Sequence, residues 1–444
     1  MVASGAGLSK RSIMSKDVSF FEETITGFTH KLDALVYTAP LVDVILAAGL
    51  LVTSKKTSGF QSEANKILEK RKDQFTAEEI FQFQTLRRWI SNESRVMTSR
   101  VLLNESHVVI ITSQLDGLLS KLIQGVIVTN PSFIKEKELN LKVHEIDRHD
   151  TINSLKSHIV DIQVEKIMRT GHLDQLSSLT KMLGIKLGDV PNKADIEEVL
   201  HRRHMIVHNN SLCNRTYKSI RNNSSLEDTV SFGKKINTDL DYIIHAYSTI
   251  WTYGVKLALS IWGKTEPHRA DKAHSLINHL SYNLIRKGNY KMAIDLLSYT
   301  RDTFSKHNAP NATDSLMHKV NLAQAYKWNG DDQECHDILK AENWEVLDSK
   351  FRISYLAFNG QFKKLTTLME QIGKDDEFEI NYQEWPIFRE ASLRQDFLDA
   401  YEKIFGKKYS SRHKEEADFV SSIVGLTDLF RDGKQTDFPF TSDN

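Results

Sequence analysis

The chain has 444 residues, enough for two or three domains, with 40% hydrophobic and 26% charged residues, an ordinary soluble globular composition. Lys+Arg and Asp+Glu stand at 58 each, which argues against a broad, sequence-blind nucleic-acid coat while leaving room for a local cationic cleft. The two cysteines, Cys213 and Cys335, lie in unrelated segments, which argues against a disulfide scaffold or a cysteine zinc site and fits a reducing cytosol.

Seven prolines and 20 glycines are few helix breakers for this length. With apolar residues recurring at 3.6-residue spacing, they predict an all-α fold. Residues 1–16 are small, polar and mildly basic without an apolar run, so they read as disordered rather than as a signal peptide, and a cytoplasmic location is expected. Residues 17–89 form an N-terminal helical segment. Phe20, Phe21, Ile25, Phe28, Leu32, Leu35 and Val36 carry helical periodicity. Leu41 to Thr53 is the most apolar run; it is too short to span a bilayer and reads as a buried core helix. Ser54 to Gln74, rich in lysine, is a connector or an exposed helix. Thr76-Ala77-Glu78-Glu79 is a capping box opening a helix through Phe81, Leu86 and Trp89.

Residues 90–263 read as a four- or five-helix bundle. A long helix is predicted from Glu105 to Val128, with Val108, Ile111, Leu115, Leu118, Leu119 and Leu122 on one side and Pro131 after it. Helices follow near 150–170 and 172–183, the second closing at Gly184. Pro191 and Asp195 mark the start of another, and a last one covers about 231–262 with Tyr242, Tyr247, Ile250, Trp251 and Leu257.

Residues 268–430 contain a weak internal repeat. Copies begin at Gly288, Gly330 and Gly360, with a degenerate one at Gln395, and Tyr290, Phe362 and Phe397 stand two residues on in three of them. The small residue is expected to let two helices approach closely. The pattern resembles the tetratricopeptide repeat, whose period is about 34 residues, although Asp332 replaces an aromatic and no Trp-Leu-Gly opens the copies. The resemblance implies an α-α array able to hold a protein partner or a trigger. Residues 431–444 read as a flexible tail.

The chemistry concentrates between Asp195 and Asn209. On a helix, at ~100° per residue, Glu197, His201, His204 and His208 share a narrow stripe, with Arg202 and Arg203 on its two flanks. Arginine binds phosphate in a forked geometry, and histidine moves protons near neutral pH. No regular helix brings Arg203 and His208 to one point, so the site is expected to be completed by a second copy across a two-fold axis, or by another helix. Three readings stand: a solvated face with incidental histidines; a zinc site from Glu197, His201, His204 and His208, which lacks HExxH order and offers one helix face alone; and metal-free cleavage of RNA.

The stretch Glu197-Glu198-Val199-Leu200-His201-Arg202-Arg203-His204-Met205-Ile206-Val207-His208-Asn209 resembles the HEPN superfamily, marked by an arginine followed four to six residues later by a histidine. Both Arg203 and Arg202 fit that spacing to His208, and the helix from Ser106 to Val128 is similar to the first bundle helix of the family. The resemblance covers about 90–263. It implies a dimeric endoribonuclease needing no cofactor or metal, of the kind used in abortive infection, toxin–antitoxin pairs and antiviral defence. His208 is then general base or acid, Arg203 with help from Arg202 neutralises the phosphorane-like transition state, and His204 orients His208 or binds RNA. His201 and Asn209 are the further substrate contacts. Asn210 stands where some family toxins carry a tyrosine modified by a partner enzyme, so neutralisation by that route is not expected. Other members are non-catalytic RNA-binding or scaffold modules, which is the alternative for this chain.

Overall fold

The computed structural model describes residues 19–68, 76–131, 143–184, 193–226 and 230–411. The expectations for residues 1–16, Pro191, residues 412–430 and the tail at 431–444 fall outside them. The described residues are helical, with no strand beyond the isolated bridge between Leu212 and Lys235, so the all-α expectation holds.

The chain opens with a long helical hairpin, α1 (Phe20–Leu68) and α2 (Ala77–Thr129), each roughly 75 Å at about 1.5 Å per residue. Thr76 caps α2 as expected: its Oγ1 accepts from Glu79 N at 3.2 Å, and the Glu79 carboxylate accepts from Thr76 N at 2.9 Å. The helix then runs unbroken past residue 90, so the expected division between an N-terminal segment and the bundle falls inside one helix. Ser54 to Leu68 continues α1.

The proximal half of the hairpin is core. Phe21, Ile25, Phe28 and Leu32 pack against Val108, Ile111, Leu115, Leu118 and Leu122. The distal half is different. The Leu41–Thr53 run is not a buried core helix, since Ile45 is 69%, Leu51 45% and Val52 57% exposed. It lies beyond the bundle, where α2 covers one face. Because it belongs to a longer helix than the apolar run itself, the stretch Phe20–Ser62 is long and apolar enough to cross a membrane by length and composition, and 11% of its most apolar part is buried.

Helices α3 (Ile152–Met168) and α4 (His172–Leu183) follow, then α5 (Lys193–His208), α6 (Arg215–Asn222) and α7 (Leu240–Thr265). Gly184, at φ 61°, ends α4 as expected. The last bundle helix starts later than its apolar pattern suggests, because Asp239 caps it by accepting from Tyr242 N at 3.0 Å. α7 is buried without a break from Thr249 to Leu259, as a largely apolar helix packed between other layers must be. At Gly254 it approaches α1 and α2 closely: an added Cβ would stand 2.5 Å from Phe28 Cζ and 2.9 Å from Leu118 Cδ2.

The far side of α7 carries the C-terminal helices: α8 (Ala270–Arg286), α9 (Tyr290–Asp302), α10 (Ala312–Asn329), α11 (Asp332–Lys340), α12 (Ser349–Phe358), α13 (Phe362–Ile372), α14 (Asp376–Glu384) and α15 (Gln395–Phe405). Lys256 pairs with Asp295 at 2.5 Å, the Ser260 and Tyr299 hydroxyls meet at 2.5 Å, and one apolar core continues from the bundle to Leu322 and Ala325 of α10. A second core gathers Trp344, Phe351, Phe358, Tyr382, Phe388 and Tyr401. The repeat signatures mark turns between paired helices. Gly288, Gly330 and Gly360 sit between α8 and α9, α10 and α11, and α12 and α13, at φ 80°, 91° and 63°. Their role differs from the expected one. A Cβ at Gly288 or Gly330 would meet nothing within 4 Å, so glycine serves the left-handed backbone there rather than close helix approach.

Two measurements test this packing. Gly254→Val is expected to lower stability by about 1–3 kcal/mol, read from urea unfolding; an unchanged midpoint would contradict the close contact. Burial pulls His172 down to about 4, and burial together with the neighbouring His274 pulls His318 down to about 4, against about 6.5 in the unfolded chain. Both are neutral in the fold, so as pH falls below 6.5 the unfolded chain takes up protons that the native one refuses. Stability should therefore be full above pH ~6.5 and decline toward pH ~4. The decline should be shallower in His318→Leu; equal slopes would refute the assignment.

Candidate functional site

α5 owes its orientation to a buried carboxylate. Ile196, Glu198, Val199, Arg202 and Met205 face inward, and Glu198 is fully buried. Its Oε1 accepts from Arg202 Nε at 3.0 Å and from the Tyr217 hydroxyl at 2.6 Å, and its Oε2 accepts from the Tyr242 hydroxyl at 2.8 Å. Arg202 also donates to the Tyr217 hydroxyl at 2.8 Å and to the Asn237 carbonyl at 2.7 Å, and its guanidinium carbon lies 3.4 Å from the centroid of the Tyr242 ring. Burial holds both tyrosine hydroxyls far above their ordinary pKa, with Glu198 acting in the same direction. Three elements, α5, α6 and α7, are tied by this one charge.

The opposite face of α5 looks outward. Glu197 and His201 are half-buried, and His204 and His208 are exposed. The His204 and His208 rings lie 4.8 Å apart between centroids. Burial, then His204, lowers the pKa of His201, with Glu197 opposing. Arg203 is half-buried on a third side, toward α2, where it acts on Asp116; burial raises the Asp116 pKa and Arg203 counters it.

The end of the helix is fixed. Asn209 donates through Nδ2 to the Leu212 carbonyl at 2.5 Å, so it anchors the chain reversal. Asn210 and Ser211 follow at φ 49° and 58°, a conformation costing roughly 1–2 kcal/mol per non-glycine residue. Ser211 is held there by its N–H to the Met205 carbonyl at 3.0 Å, by its carbonyl accepting from Ile236 N at 2.8 Å, and by its hydroxyl to Glu105 of α2 at 2.5 Å.

The sequence expectation is thus kept in part and corrected in part. Glu197, His201, His204 and His208 do share one face. Arg202 does not flank it: at 1% exposure, with its donors engaged inside, it is out of reach of a phosphate, and the helper role expected for it passes to a structural one. Arg203 and His208 remain on different sides of the helix within one chain. Among the described residues no three His, Cys, Asp or Glu side chains converge to hold a metal ion. The residues that sequence reasoning missed are Glu198, Tyr217, Tyr242 and Asp116. The spacing of Glu198 and Arg202 is legible as an (i, i+4) ion pair, but the tyrosines and Asp116 come from distant elements with no local signal.

Comparison with family models, with curated proteins and with solved structures finds no match to this chain.

Glu198→Ala leaves the Arg202 charge buried and should cost about 3–5 kcal/mol. Arg203→Ala and His208→Ala should melt close to the wild type. A Glu198→Ala protein with wild-type thermal unfolding would show that the network does not hold α5.

Proposed function

We propose that the chain is a metal-independent endoribonuclease of the HEPN type, a defence or toxin effector whose C-terminal helix pairs, similar to tetratricopeptide repeats, hold its regulator. The observation that carries the reading is the exposed His204–His208 pair at a pinned helix end, with Arg203 on the adjoining side of the same helix. His208 takes the proton of a ribose 2′-OH, whose oxygen attacks the neighbouring phosphorus. The P–O5′ bond breaks, and the leaving oxygen takes up a proton, leaving a 2′,3′-cyclic phosphate and a 5′-OH. Arg203 balances the charge that builds on the phosphoryl oxygens, and His204 orients its neighbour or contacts RNA. Five positions separate Arg203 from His208, about 140° around a helix. Two chains in a homodimer, each lending its arginine to the other's histidines, therefore complete the site.

The test is incubation of the purified full-length protein with total RNA in EDTA, followed by mapping of the ends. Cleavage should persist under chelation and yield cyclic phosphates. It should fall at least 100-fold in His208→Ala and Arg203→Ala while both proteins stay folded. Loss of cleavage on chelation, or wild-type rates in either variant, overturns the mechanism. The alternative, a non-catalytic HEPN–tetratricopeptide scaffold or RNA-binding adaptor, draws on the burial of Arg202, which leaves one arginine at the site. RNA bound but uncut would select it.

A further inference from the structure

We infer that the turn at Phe232, with Arg215 of α6 against it and Lys218, Lys234 and Lys235 around it, is a platform for single-stranded RNA, on which a base stacks on the Phe232 ring while the cations take the flanking phosphates. The inference deepens the RNA-cleavage reading and rests on it for the position of the scissile phosphate. Phe232 is 59% exposed. Its backbone is fixed: Lys234 N donates to the Ser231 carbonyl at 3.1 Å and Gly233 takes φ 75°, closing a tight turn with Phe232 at its tip. The Arg215 guanidinium carbon lies 5.6 Å from the ring centroid, within cation–π range, so a cation braces the ring while most of it stays in solvent.

The turn is joined to the end of α5, where the histidine pair stands. Leu212 forms an antiparallel bridge with Lys235. Gly233 N donates to the Cys213 carbonyl at 2.8 Å, Cys213 N to the Lys234 carbonyl at 2.9 Å, and Ile236 N to the Ser211 carbonyl at 2.8 Å. Beneath them Met205 of α5 shares a small apolar core with Cys213, Tyr217 and Ile236. Leu212 follows His208 by four residues, a backbone span of roughly 14 Å at most. A strand lying across His208 therefore needs little further length to reach the turn.

Charge and shape select the strand. The chain as a whole is neutral, yet no Asp or Glu stands between Val199 and Leu226 or between Val230 and Thr238, while Arg203, Arg215, Lys218, Lys234 and Lys235 do. The last four of these are exposed. Arg215 and Lys218, three apart on α6, share a face, and Lys218 counters the rise that burial gives the Cys213 thiol pKa, which sets its ammonium beside the same segment. Glu105 of α2 reaches the chain reversal, but it accepts from the Ser211 hydroxyl at 2.5 Å. An unpaired base offers its face to an aromatic side chain and its backbone offers phosphates to cations. A duplex keeps its base faces within the stack and would leave Phe232 in water. An acidic peptide would use the lysines and give the ring no role.

Fluorescence anisotropy of a short labelled RNA tests it, with the full-length His208→Ala protein in EDTA so that the strand stays intact. The single strand should bind about tenfold more tightly than its duplex. Adding Phe232→Ala should weaken binding about 5- to 100-fold, and Phe232→Trp should keep it. Lys234→Gln with Lys235→Gln should reduce the slope of log affinity against log salt by about 1.4. All three positions are exposed, so thermal unfolding should match the parent. Equal binding by Phe232→Ala, preference for the duplex, or displacement of the strand by poly-glutamate of matching charge would each overturn the proposal, the last in favour of an acidic protein partner. Cleavage separates the two readings. A Phe232→Ala chain with His208 intact that cuts sub-saturating single-stranded RNA at the wild-type rate overturns the platform and leaves the nuclease standing. A wild type that cuts nothing while Phe232-dependent binding persists ends the nuclease and supports the platform.

Discussion

One buried carboxylate sets the geometry of the candidate site. Glu198 has no water to solvate it and takes its compensation from Arg202, Tyr217 and Tyr242. A buried charge is tolerated only when it is paired and hydrogen-bonded, so the helix has one rotation about its axis that satisfies it. That rotation turns Ile196, Val199 and Met205 inward and leaves His204 and His208 in solvent. The histidines are presented because the acid on the other side of the helix is held.

The second constraint is α7. Its close contact with α1 and α2 at Gly254, and with Phe304 and Asn308 at Gly263, leaves no room for a Cβ at either point unless the facing side chains shift. The bundle and the helical pairs thereby share a core across α7. Under the proposed function, a regulator bound to the C-terminal helices would act on a body continuous with α5, through α7 and the Tyr242 hydroxyl that reaches Glu198, rather than through a flexible linker.

The hairpin obeys the opposite economy. Its base is held by a conventional apolar core, while in its distal half Ile45, Leu51 and Val52 stand outward and Asp43 turns inward to Arg100. A sequence reader who equates a run of aliphatic residues with burial is misled there, because burial depends on which elements lie alongside. Two further corrections have a local cause instead: α2 passes through an expected boundary because the capping signal at Thr76 has no matching stop before Asn130, and the start of α7 is set by the Asp239 cap rather than by the apolar pattern upstream.

The sequence by itself determined the helical class, the Thr76 and Gly184 caps, and the common face of Glu197, His201, His204 and His208; it marked Gly288, Gly330 and Gly360 as a repeat but gave them a packing role they do not have. Each of the first three is a property of neighbours along the chain: periodicity and capping chemistry. Tertiary structure alone decided that Arg202 is interior while Arg203 acts electrostatically on Asp116, that Tyr217 and Tyr242 share one carboxylate, and that Ile45, Leu51 and Val52 face outward. Those outcomes depend on which distant segments arrive at a given face, and no spacing within one helix encodes that.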